Sequence, residues 1–229
     1  MFRPIRLFRT SIGSKQVVAV TGLLLVAFVL IHMFGNLTAF QGPESINAYG
    51  AWLQGHPLLW VFRAALLALA VLHVMVTVRL ALENRRARPA RYAYRRWRDG
   101  RLAARTMLVS GLMIIAFIVY HLLHLTLGEV GPRLRHDALG RMDIYYNLVV
   151  AFSDPWIASG YIAAMLLLGL HLHHAIESLF QTLGLKHENY ESAIRVAAPL
   201  LAALITLGFM SIPVAVLLGR LAIPAGGEG

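Results

Sequence analysis

The sequence predicts an all-α integral membrane protein, with five transmembrane helices in one domain spanning residues 1–229. Three observations predict it. Apolar residues make up 58% of the chain and charged residues only 14%, which leaves too little polar surface to coat a soluble globule of this length. Mean hydropathy is +0.65, which also excludes intrinsic disorder. The apolar residues gather into five runs, each near the ~20 residues needed to cross hydrocarbon. With no cysteine, the chain has no means of forming a disulfide, a thiolate zinc site, its own iron–sulfur cluster or a covalently attached c-type haem.

The spans are expected at about 15–37, 58–82, 104–128, 156–180 and 193–219. Arg63 and Arg79 lie toward the ends of the second span, where long side chains snorkel out of the hydrocarbon. Ser153-Asp154 before Pro155 predicts an N-cap followed by proline in the first turn of the fourth span. Gly184, with Lys186 just after, predicts the exit of that helix. Pro199 and Pro213 are expected to kink or end the fifth span, which carries no histidine and reads as packing support. The first span follows Arg3, Arg6, Arg9 and Lys15, but it is too long for a secretory leader.

Orientation follows from the basic loops, because short cytoplasmic loops hold the Lys/Arg excess. The N-terminus carries the four basic residues just named, and the second connection carries Arg85, Arg86, Arg88, Arg91, Arg95, Arg96, Arg98, Arg101 and Arg105. Residues 38–57 contain none, and 129–154 offset Arg133, Arg135 and Arg141 with four acids. The expectation is an N-terminus in the cytoplasm and a C-terminus outside a bacterial cytoplasmic membrane. The net charge of +10 is therefore assigned to membrane lipid and not to nucleic acid. The arginine run, interleaved with Tyr92, Tyr94 and Trp97, also offers a docking surface for a peripheral subunit.

Seven of the ten histidines fall within or at the ends of spans: His32, His73, His121, His124, His171, His173 and His174. Ionisable groups at membrane depth point to function. His32 and His121 sit about 26 Å along helices running outward, while His73 and His171 sit about 22 Å along helices running inward. The four therefore form two pairs at two depths. Two histidines at one depth on different helices can supply both axial ligands of a haem iron, and without a Cys-x-x-Cys-His motif only haem b remains. Two pairs make an electron path across the bilayer, and the fold class becomes a haem-binding bundle. Gly22, Gly111, Gly160, Gly169 and Gly208 are placed to let a flat macrocycle or another helix approach. Depth prefers His121 to His124, its i,i+3 neighbour, and His171 to His174, which stays an alternative. His173 is about 200° around the helix from His171. Arg79 and Glu177 are expected at similar depth, as an ion pair, at a propionate or at the headgroups. His124 and Glu129 are candidates for proton handling at a quinone site, but no quinone motif is recognisable. No internal repeat, nucleotide-binding loop or catalytic triad is expected.

The chain resembles the five-helix, two-haem cytochrome b membrane subunits of succinate:quinone oxidoreductases and fumarate reductases. The likeness is carried by Ser11-Ile12-Gly13-Ser14-Lys15, Thr21-Gly22, His32-Met33-x-Gly35-Asn36-Leu37, His73, Tyr120-His121, and His171-x-x-His174 followed by Ser178-x-Phe180-Gln181-Thr182-Leu183-Gly184. The resemblance implies that His32 and His121 hold a distal haem and His73 and His171 a proximal haem, and it selects His171 over His174. It implies the non-flavin membrane anchor of succinate dehydrogenase, respiratory complex II of the tricarboxylic acid cycle, or of a fumarate reductase. The partners so implied are an FAD flavoprotein subunit, an iron–sulfur subunit and a membrane quinone, menaquinone by resemblance alone; whether the complex forms a higher oligomer stays open. Gly169 stands where some fumarate reductases carry a glutamate associated with proton transfer. The alternatives are the cytochrome b subunit of a hydrogenase or formate dehydrogenase, and a haem-free transporter whose histidines relay protons.

Overall fold

Five apolar stretches of this chain are helices long and apolar enough to cross a membrane. The computed structural model describes residues 10–87, 100–184 and 188–224, with only the backbone of 100–105 and of Glu188. Arg3, Arg6, Arg9, Lys186, the tail from 225 on, and Arg88, Arg91, Tyr92, Tyr94, Arg95, Arg96, Trp97 and Arg98 lie outside the described residues, as do the side chains of Arg101 and Arg105.

The long helices are α1 (Ser11–Leu37), α3 (Leu59–Arg86), α4 (Gly100–His121), α6 (Pro155–Thr182) and α7 (Glu188–Leu217). Their boundaries have local causes. Thr10 Oγ1 accepts from the Gly13 amide at 3.1 Å and caps α1. Asp154 accepts from the Trp156 amide at 2.8 Å ahead of Pro155, as expected for the start of α6. That helix leaves at Gly184, whose φ of +72° suits glycine. Neither Pro199 nor Pro213 ends α7, which runs through both to Leu217. The apolar side chains left outside the packed core, such as Trp60 and Trp156, suit contact with a bilayer or its interface.

Two segments read as loops are helical. Residues 38–57 form a 3-10 turn (Thr38–Gln41) and α2 (Pro43–Gly55), and 129–154 contain α5 (Ile144–Ser153). They pack together because their polar groups are matched in pairs. Asn47 Nδ2 donates to Asp143 Oδ1 at 2.9 Å, and Asn47 Oδ1 accepts from the Tyr145 amide at 3.0 Å. Asp143 also caps α5 by accepting from the Tyr146 amide.

The described residues fall into two compact units. The first lies within Met1–Phe28, Arg63–Leu112 and Leu170–Ala202, and the second within Val29–Phe62, Met113–Gly169 and Ala203–Gly229. Each long helix contributes residues to both units. The core of the second unit gathers Ile46, Leu148, Phe152, Ala158, Tyr161 and Ile212.

Candidate haem-ligand histidines

In the first unit, His73 on α3 and His171 on α6 lie within electrostatic reach of each other. Each is met by a hydroxyl from another helix. Thr21 Oγ1 on α1 is 2.9 Å from His73 Nδ1, and Ser110 Oγ on α4 is 3.0 Å from His171 Nδ1. The next residue in both cases is a glycine set against the same ring. A Cβ placed on Gly22 would meet His73 Cε1 at 3.3 Å, and one on Gly111 would meet His171 Cε1 at 3.4 Å. The other three glycines singled out in the sequence serve differently. Gly169 faces Thr206, Gly208 faces Met33, and Gly160 faces open space.

In the second unit, the rings of His32 on α1 and His121 on α4 have centroids 6.0 Å apart and planes at 80°. Phe209 of α7 lies against His32, while Phe117 and Tyr161 lie against His121. His121 Nδ1 is buried without a hydrogen-bond partner, an arrangement that normally calls for a group to satisfy it.

His174 and His124 also lie within electrostatic reach of His171 and His121, but each has contacts of its own. After His121 the helix widens into a π turn, Leu122–Thr126, so His124 departs from the regular i,i+3 neighbour relationship. His124 is only 1% exposed, and its Nδ1 lies 3.0 Å from the Tyr161 hydroxyl. Its Nε2 has no partner, and the ring lies against Gly131. His174 stacks on His173 at 4.9 Å; it is His171 that meets Ser110 and Gly111. Arg79 pairs with Glu83 at 2.7 Å, and Glu177 lies 3.8 Å from His173.

Outside the spans, Arg141 ties α2 to the 129–143 segment through Glu44 at 2.8 Å and Asp137 at 2.7 Å. The Arg141 hydrogen bond holds the Glu44 carboxyl below its usual range. At Asp137, partial burial works to raise the value, but hydrogen bonds from Arg141 and from the Arg141 and Leu139 amides leave it lowered.

The donor set suits haem. No three His, Cys, Asp or Glu side chains converge on a metal site among the described residues. A haem iron needs only axial ligands from protein. The close glycines at His73 and His171, and the unsatisfied nitrogen of His121, fit such a group.

Sequence reasoning named Thr21 only for the family likeness, without a role at a histidine, and missed Ser110 and Tyr161. The signal for Thr21 and Ser110 was present as a short repeat: Thr21-Gly22 precedes His32 by the same eleven residues by which Ser110-Gly111 precedes His121. Eleven residues are about three helical turns, so each dipeptide and its histidine share one helix face. No protein family, curated protein or solved structure matches the chain.

Proposed function

We propose that this chain is the dihaem cytochrome b membrane anchor of a succinate:quinone oxidoreductase or quinol:fumarate reductase. The observation that carries the haem reading is the arrangement of four histidines as two separate pairs, His73 with His171 and His32 with His121, on four of the five long helices. The assignment to this class of complex draws on the sequence resemblance.

In this reading His73 and His171 hold the proximal b haem and His32 and His121 the distal one. The bound haems supply one-electron transfer between an iron–sulfur partner subunit and a membrane quinone, taken as menaquinone. The chain itself provides ligation, orientation and exclusion of water. Thr21 and Ser110 orient one imidazole pair from behind, and Gly22 and Gly111 leave space beside it. Phe117, Tyr161 and Phe209 wall the other pair with aromatic surface. The arginine-rich connection after α3 marks the cytoplasmic side, where the flavoprotein and iron–sulfur subunits dock. No residue here is assigned to the oxidation of succinate, which belongs to the flavoprotein.

The test is haem b content per chain, by pyridine haemochrome and reduced-minus-oxidised spectra, on the purified complex with its partner subunits identified. Two haems per chain with flavoprotein and iron–sulfur partners is the expected result. Two haems with hydrogenase or formate dehydrogenase partners would reassign the complex. A colourless, folded protein would leave the transporter reading.

A further inference from the structure

We infer that Thr21 and Ser110 are positioning residues that fix the tautomer of His73 and His171, so that both rings present Nε2 as a lone-pair nitrogen to one metal centre. The inference rests on the dihaem reading and adds to it a role for two residues outside the ligand set.

A hydroxyl has one proton to give and two lone pairs to accept with. Thr21 Oγ1 donates to the Val17 carbonyl at 2.7 Å, with the Val18 carbonyl at 3.2 Å. Its proton is therefore committed within α1, and the contact of 2.9 Å to His73 Nδ1 is made by accepting. His73 Nδ1 then carries the hydrogen, which leaves Nε2 as the lone-pair nitrogen of the neutral ring. Ser110 repeats the arrangement, donating to the Met107 carbonyl at 3.1 Å with His171 Nδ1 at 3.0 Å.

His121 Nδ1 has no partner, and Asn36 Nδ2, 3.4 Å from both His32 ring nitrogens, donates at 2.8 Å to the His32 carbonyl. A ligating imidazole that donates its other N–H to an oxygen is oriented and made more basic, which favours the oxidised metal. Removal of either hydroxyl should therefore raise the midpoint of the His73/His171 centre.

The experiment uses the whole complex carrying Thr21→Val or Ser110→Ala, with Thr21→Ser and Ser110→Thr as conservative partners. Haem content is measured by pyridine haemochrome and both midpoints by spectroelectrochemical titration. Expected is a rise in one midpoint equivalent to roughly a tenfold change in the oxidised-to-reduced ratio, about 59 mV for one electron. The shifted haem should be the one lost in His73→Ala, and the conservative variants should return it toward wild type. Loss of that haem from the Val or Ala variant but not from its conservative partner supports the same role. Two retained haems with unmoved midpoints, a shift at the other haem, or equal effects in the conservative variants would overturn the positioning role alone. A wild-type protein without haem would overturn the dihaem reading and this inference together.

Discussion

The hydroxyl of Tyr161 lies 3.0 Å from Nδ1 of His124, the most buried histidine among the described residues. Tyr161 also touches Phe117, Tyr120, His121 and Phe152, so one residue of α6 secures the π turn that follows a candidate haem ligand. Tyr161→Phe keeps the ring but leaves His124 with both nitrogens unsatisfied. Loss of such a buried bond costs about 1–3 kcal/mol. The expected outcome is a lower thermal midpoint in detergent with helix content retained; an unchanged midpoint would show that His124 finds another partner.

The histidine pairs predict selective losses. His73→Ala and His171→Ala should each remove one haem, and His32→Ala and His121→Ala the other, leaving about one haem per chain in every case. Difference spectra distinguish the two populations. His174→Ala should keep both haems, since His174 stacks on His173 and His171 is the residue that meets Ser110. Retention of two haems in all four ligand variants would remove the assignment.

The glycines predict a contrast within one protein. At Gly22 and Gly111 an added methyl meets an imidazole carbon at 3.3 and 3.4 Å, tight enough for alanine to press on the ring and for leucine to displace it. Gly22→Leu and Gly111→Leu should lower the content of the His73/His171 haem. Gly160→Ala adds its methyl to open space and should be neutral or stabilising by up to about 1 kcal/mol, as replacement of a mid-helix glycine allows. Haem content and thermal midpoint of the three proteins provide the comparison.

The Arg141 clip predicts an acid-sensitive cap. Glu44 and Asp137 are held below their ordinary values of 4.5 and 3.8. A carboxyl lowered in the folded state contributes stability that is complete above its unfolded value and is lost as pH falls through the folded one. Amide protection in 129–143 should therefore persist at neutral pH and fall as the solution is acidified below about 4. Arg141→Gln should reduce that protection already at neutral pH. Hydrogen exchange followed by mass spectrometry reads both, and equal protection in the variant and the parent would show that the clip contributes nothing.

Much of the architecture was legible because membrane spans announce themselves by length. Val17 to Leu37 is apolar over enough residues to cross hydrocarbon, and the other four spans were found in the same way. Asp154 before Pro155 and Gly184 after Thr182 marked helix ends because capping chemistry is local. The helices in 43–55 and 144–153 were not legible. They are short, and their polar groups are satisfied by one another, as where Asn47 bridges Asp143 and Tyr145. No local signal in either segment names its partner.

The same division holds at the site. Spacing along the chain was enough to pair His32 with His121 and His73 with His171 as candidates, because an α-helix converts residue number into distance along its axis at about 1.5 Å per residue. It was not enough to say what stands behind each ring. Thr21 meets His73 across fifty-two residues and Ser110 meets His171 across sixty-one. The π turn that redirects His124 toward Tyr161 likewise departs from the regular helical count. Axial position is a property of one helix and can be read from its sequence; hydrogen-bond partnership between side chains depends on how helices are rotated against their neighbours, and that rotation is set by packing.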